Sequence, residues 1–437
     1  MPKSVIMSRG NHRRVRYLVP GILLTTLLAS GAVASATASS AAAATAPGSI
    51  DTTFGAGGWL SIAGSSVPGL GNVQDAVSLP SGDILLGGST GLARLLPSGQ
   101  LDTSFGSGGS TTASNVGSVD SAAVIAVQPD GKIIYAGATG SSSGGTKWEV
   151  ARFTANGALD PTFGTGGIVT TEILNPAPTT ITDESPNAVL VQPDGKILVL
   201  GKVENFGGYR GTGSFFEQAV LRYSPNGTLD TSFGTGGEAQ STTFAGGGEL
   251  GLDAAGDIFI APGPGWTSKE AELNPSGQAD STVTPAAISA ASSPTLLPSG
   301  QFLLATTIAV GRGESHVRVT RYNPGSTVAS TSALLGWTSA VGKDAGAAVG
   351  TLPGGQALIL GSHNNSQSYV LASVNPDGTL DSTFGTGGIT MFTPPAADKG
   401  GFFPAVALAL PTGKILVVGQ ATASNGSPLI TLTQFIA

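Results

Sequence analysis

The residues able to do chemistry are few. Beyond a basic start the chain has two histidines, His316 and His363, and no cysteine anywhere. A zinc site would need carboxylates beside those histidines, and no H-E-x-x-H spacing exists. No G-x-S-x-G elbow marks a nucleophilic serine. The glycine-rich run Gly207-Gly208-Tyr209-Arg210-Gly211 lacks the G-K-[ST] ending of a phosphate loop. Asn375-Pro376-Asp377-Gly378, close to Asp381, has some of the look of a calcium loop. Such a loop needs oxygen ligands at alternate positions, and Pro376 and Thr379 break the series. No catalytic residue, metal or cofactor is therefore expected, and the shortage of His and clustered acids disfavours an enzyme.

What is left is recognition chemistry. Trp148, Tyr209, Arg210, Trp266, His316 and His363 form the candidate ligand-binding set, with Glu204, Lys269, Glu270 and Arg312 near them in sequence. Aromatic faces beside polar groups suit a sugar or a peptide. Ordinary solvated loops are the plainer reading of any one of these residues. Their common property is that they fall where the sequence does not repeat.

The elements that must position them do repeat. Ile50-Asp51-Thr52-Thr53-Phe54-Gly55-Ala56-Gly57-Gly58 returns at Leu101 to Gly109, Leu159 to Gly167, Leu229 to Gly237 and Leu380 to Gly388, with a worn copy around Asp280. A second phrase, Gln128-Pro129-Asp130-Gly131-Lys132 followed by an apolar run, recurs with turn glycines at 82, 131, 195, 256, 300, 355 and 413. The mean period is about 55 residues, the size of a four-stranded unit that cannot bury both faces alone. In the third unit the strands read Gly167 to Thr171, Ala188 to Val191, Lys196 to Leu200 and Ala219 to Tyr223, with Pro193-Asp194-Gly195 as a hairpin turn. The repeated phenylalanines are expected between neighbouring units. The repeated aspartates are expected to cap turn amides. Both roles are structural.

The last strand-like segment, 429–435, lacks its continuation, which stands at the other end of the chain from residue 48. These features predict an all-β fold, a seven-bladed β-propeller of four-stranded antiparallel blades. Its ring would be closed by pairing of the N- and C-terminal repeat segments. The two phrases together resemble the delta-60 repeat family, bacterial proteins regarded as β-propellers. The resemblance implies the fold and no defined activity. Repeats four to six depart from it, with Asp257, Gln301 and Gln356 where the full copies have lysine.

Composition bounds the rest. Only 11% of residues are charged and 40% are hydrophobic, which excludes a disordered chain. Residues 1–36, with Arg9, Arg13, Arg14 and Arg16 before an apolar stretch and A-x-A sites, read as a signal peptide. Residues 37–47 read as a flexible leader and 48–437 as one domain. Without residues 1–36 the chain carries 15 basic against 27 acidic residues, net −12, which repels nucleic acid and anionic lipid. No membrane span after cleavage and a monomer are expected, secreted or associated with the cell envelope. The leading expectation is a binding or scaffold module for an extracellular protein or glycan. The alternative is a polysaccharide lyase or hydrolase with its site at the central channel. A purely structural envelope component is the third reading.

Overall fold

The computed structural model describes residues 46–437 apart from 114–122, 142–144, 174–180, 207–214, 242–247, 253–254, 261–265, 270, 280–286, 291–294, 297–300, 312–313, 323–328, 336–344, 353, 364–367 and 396–402. Residues 1–42 separate from the remainder as a unit of their own. The expected signal peptide and nearly all of the leader lie outside the described residues.

Among the described residues all regular structure is β apart from one three-residue turn of 3-10 helix, and the paired strands are antiparallel. Three four-stranded sheets come first. The first is Val73–Ser78, Ile84–Gly88, Gly91–Leu95 and Ser110–Thr112. The second is Val124–Val127, Ile133–Ser141, Gly145–Phe153 and Ile168–Thr171. The third is Ile181–Val191, Ile197–Phe206, Phe215–Tyr223 and Glu238–Ser241. Next come a three-stranded sheet (Leu250–Leu252, Ile258–Ile260, Ala271–Leu273) and a two-stranded pair (Trp266–Lys269, Ala287–Ala290). Four-stranded sheets spanning 295–335 and 345–392 follow. The terminal sheet joins Phe403–Ala409, Lys414–Thr422 and Pro428–Ile436 to Trp59–Ala63 from the start of the unit.

The strand order corrects one expectation. The strand after each Phe-Gly phrase was grouped with the strands that follow it; it pairs instead with the strand before it. Ile168–Thr171 lies against Gly145–Phe153, with Ala151 opposite Ile168. The phrase is thus the turn that folds the fourth strand back onto the third. The second strands are buried on both faces, and so they read as unbroken apolar runs: Ile197, Leu198, Val199 and Leu200 are all fully buried.

Apolar clusters bridge consecutive sheets. One combines Leu85, Leu92 and Phe105 of the first sheet with Ile133, Tyr135 and Phe153 of the second. Others join the second to the third, the terminal to the first, and the 345–392 sheet to the terminal one. The leading strands touch one another along the series, Phe403–Ala409 with Val73–Ser78, that with Val124–Val127, and that in turn with Ile181–Val191.

A polar latch accompanies each of these clusters in the best-kept repeats. Asp160 Oδ1 caps its own turn, accepting from Thr162 N at 3.0 Å and Thr162 Oγ1 at 2.7 Å. Its Oδ2 takes Arg152 Nε at 2.8 Å and Lys132 Nζ at 3.1 Å. The same guanidinium lies 4.7 Å from the Phe163 ring centre and donates to the Pro225 carbonyl of the next sheet. Arg222, Asp230, Lys196 and Phe233 repeat this arrangement toward Pro275, and Arg94, Asp102 and Phe105 toward Ala155. A backbone hydrogen bond runs beside it, Gly164 N donating to Asn226 O at 2.9 Å and Gly106 N to Asn156 O at 2.8 Å. Burial pushes the Asp160 carboxyl up, but Thr162, Lys132 and Arg152 outweigh that and hold it well below the usual range. The capping role of the aspartates and the inter-sheet role of the phenylalanines are therefore as expected. In the terminal sheet Gln434 stands in the arginine position, and Lys414 Nζ meets Asp51 Oδ2 at 2.5 Å, joining residues 363 apart.

Arg152→Ala is expected to cost about 2–4 kcal/mol, because the buried Asp160 carboxylate loses its closest cation and the Pro225 carbonyl loses its donor; equilibrium urea unfolding measures it. Gly157→Ala should also destabilise. Its φ is +86°, and a Cβ there would sit 2.9 Å from the Phe105 ring of the preceding sheet. Deleting residues 46–63 removes Asp51 and the edge strand of the terminal sheet; the melting temperature of the whole unit, not of one end, is expected to fall.

Candidate functional site

The structure disperses the candidate binding set. Trp148 is a correction: it lies within the strand Gly145–Phe153, fully buried against Val199 and Ala219 of the third sheet, and not on a loop. Strand alternation turned it inward, and its ring is out of reach of an outside partner. Tyr209 and Arg210 lie outside the described residues. Trp266 opens the strand Trp266–Lys269, His316 sits in Glu314–Tyr322, and His363 closes Ala357–His363. The last three are thus strand residues near the ends facing the variable connections. In the third sheet 181–186, 202–206 and 215–217 are strand, with Asp183 opposite Glu204 and Glu204 opposite Phe216.

Two groupings that the sequence did not announce hold polar atoms in the interior. The first is at the leading strands, whose outer edges have no strand partner. Side chains satisfy them instead. Asp75 accepts from Ala76 N at 2.8 Å and from Ile125 N of the second sheet at 2.9 Å. Gln74 accepts from Ala123 N, Ser78 donates to Ala409 O at 3.1 Å, and Gln420 donates to Val73 O at 2.8 Å. Burial pushes Asp75 up to about 6, against those two amide hydrogen bonds. Glu249, just before Leu250–Leu252, is half-buried; loss of solvation and then the charge of Asp75 push it up to about 8.

The second grouping lies between the first and second sheets. Glu149 is 4% exposed, and its Oε1 has no hydrogen-bond partner. Burial pushes it up to about 7, opposed by the Thr170 and Thr139 hydroxyls. Tyr135 on the adjacent strand donates to Gly88 O of the first sheet at 2.8 Å, and burial with the Glu149 charge raises it. Neither grouping has a sequence signature, since lone acids acquire these properties only from what surrounds them. Among the described residues no three His, Asp or Glu side chains are placed to hold a metal ion, and no helix is long and apolar enough to cross a membrane.

Residues 79–105, 128–163 and 192–233 match the model of a family described as a β-propeller domain of unknown function, DUF5122. The fold is a β-propeller. The matched stretches run from the Asp-Gly turn to the latch phenylalanine in the three best-kept repeats, which supports a propeller repeat family. Solved structures similar to this propeller include a protein of unknown function from Dyadobacter fermentans, at 14% identity and TM-score 0.44, covering 72% of this chain and 94% of that one. The polysaccharide lyase Uly1 matches at 12% identity and TM-score 0.44, covering 84% and 90%. The Nup133 β-propeller domain of Vanderwaltozyma polyspora matches at 10% and 0.40, covering 84% and 94%. No curated protein matches the chain.

A raised carboxyl binds its proton more tightly folded than unfolded. The Glu249 contribution is therefore full at and below the ordinary value near 4.5, falls as pH rises from there to about 8, and is flat above. Glu249→Gln is expected to stabilise the protein by about 2 kcal/mol at pH 8, allowing for partial solvation, and to be neutral near pH 4. Thermal melts of both proteins across pH 4–9 test this.

Proposed function

We propose that residues 48–437 form an exported, seven-bladed ring closed by the terminal sheet, released from its signal peptide and secreted or held at the cell envelope. It acts as a monomeric binding or scaffold module for an extracellular protein or glycan. The observation that carries this reading is the unlikeness of the two ends of the sheets. At the end with the Asp-Gly turns and Phe-Gly phrases, the repeated charges are spent on one another in the Arg–Asp–Lys latches. Connections at the opposite end differ in length from repeat to repeat, from the two residues between Gly88 and Gly91 to the eight between Phe206 and Phe215. Functional residues concentrate on variable connections held by a rigid frame. Trp266, His316 and His363 belong to that end, Tyr209 and Arg210 stay in the binding set on the sequence alone, and Trp148 is withdrawn from it by its burial.

A second reading, a lyase or hydrolase working at the central channel, is favoured by one specific observation. Asp75 and Glu249 are both shifted toward neutrality, and the Asp75 charge adds to the Glu249 shift, a condition for dividing acid and base roles between two carboxyls. Asp75 already serves two backbone amides, so the binding reading takes precedence.

A glycan and peptide array probed with the mature protein tests both readings. A ligand whose capture drops at least tenfold when Tyr209, Arg210 and Trp266 are replaced together by alanine supports the first. Capture unchanged by that triple substitution sinks it. Polysaccharide cleavage that Glu249→Gln abolishes would put the second reading in its place.

A further inference from the structure

We propose that Glu149 is a pH-sensitive switch on the packing of the first sheet against the second. The carboxyl sits inside that joint. Residues 147, 149, 151 and 153 share the strand face turned to the first sheet, where Ala151 and Phe153 enter the apolar cluster with Leu85, Leu92 and Phe105. Glu149 is placed opposite Gly137 on one side and Thr170 on the other. One oxygen meets the Thr170 and Thr139 hydroxyls, and the other is buried with no partner.

A protonated carboxyl is tolerable there. An ionised one is a desolvated charge beside an apolar cluster, with an oxygen that nothing in the joint satisfies. The charged and titratable groups around it do not relieve this. Tyr135, on the neighbouring strand, spends its hydroxyl on Gly88 O of the first sheet. Lys147, two residues along the same face, is paired with Glu172 at 2.7 Å at the exposed end. From the first sheet, Arg94 is tied to Asp102 at the latch end, and Asp75 lies on the leading strand with both oxygens on backbone amides. Glu149 therefore ionises by opening the joint to water, and the first contacts at risk are the Tyr135–Gly88 bond and the apolar seats of Ala113 and Ala123. Those two alanines flank the connection between the sheets, so the switch acts at the end with the variable connections.

The sign follows from linkage. Protonation favours the closed joint, so closure is full below the ordinary glutamate range near 4.5 and is lost as pH rises to about 7, after which it levels. Hydrogen exchange of the full mature chain, corrected for the intrinsic pH dependence of amide exchange, reads this directly. In peptides covering 84–95 and 123–139, local opening is expected to rise on the order of tenfold or more between pH 5 and 7.5. Glu149→Gln, which keeps the shape and cannot ionise, should remove that rise, and Glu172→Gln should leave it. The same comparison in a Glu249→Gln background separates this effect from the leading-strand acids. A rise that persists in Glu149→Gln overturns the switch. A flat wild-type profile does so too. Carbon NMR of the Glu149 carboxyl supplies a readout independent of any variant: a midpoint within the ordinary range, below pH 5.5, overturns it as well.

Discussion

The structure depends on how one sheet is fastened to the next. Four short strands have two apolar faces and cannot bury both by themselves, so burial is a property of the joint and not of the sheet. The latch makes each joint specific. One guanidinium lies on a phenylalanine, grips an aspartate of its own sheet, and reaches a carbonyl of the following sheet, while a glycine of that following sheet leaves room for the ring. The arginine and aspartate at the centre are buried in the second sheet, and their charges answer one another. Where the arginine position changes, to Gln434 in the terminal sheet or to Ser373 in the 345–392 sheet, the fastening changes with it. The terminal sheet relies on Lys414 and on Trp59–Ala63, and Ser373 keeps only a 3.3 Å hydrogen bond to Asp381.

Much of this was legible in the chain. The recurring Asp, Phe and Gly residues announced a structural repeat, and the cap from Asp160 to Thr162 and the ring of Phe105 between sheets are what the recurrence implied. The pairing of the two chain ends could be read from a phrase interrupted at 435 and found again at 48. The phase of the strands could not, because a phrase that both ends one strand and starts another fits either grouping on paper. Only the register that sets Ala151 opposite Ile168, flanked by the bond from Arg152 N to Gly167 O, decides.

The interior acids were illegible for a different reason. Glu149 and Asp75 are single residues in strands, with nothing periodic around them. Their shifted protonation arises from burial and from neighbours on other strands, such as Thr170, Thr139 and Ile125. Trp148 failed in the opposite direction. An aromatic residue outside the repeated phrases looked available for binding, yet one step of strand alternation sends it into the joint with the third sheet while its neighbour Glu149 enters the joint with the first.

The terminal sheet sets a timetable. Its edge strand is made long before the strand it must pair with, so Trp59 waits for Thr433 while every intervening sheet is made. Contacts so remote in sequence are slow to form and cooperative once formed. A ribosome that stops short leaves a product whose first segment has no strand to dock on and whose leucine- and valine-rich strand 414–422 is bare on one side. A copy broken off before 428–436 is thereby marked by the open edge it displays.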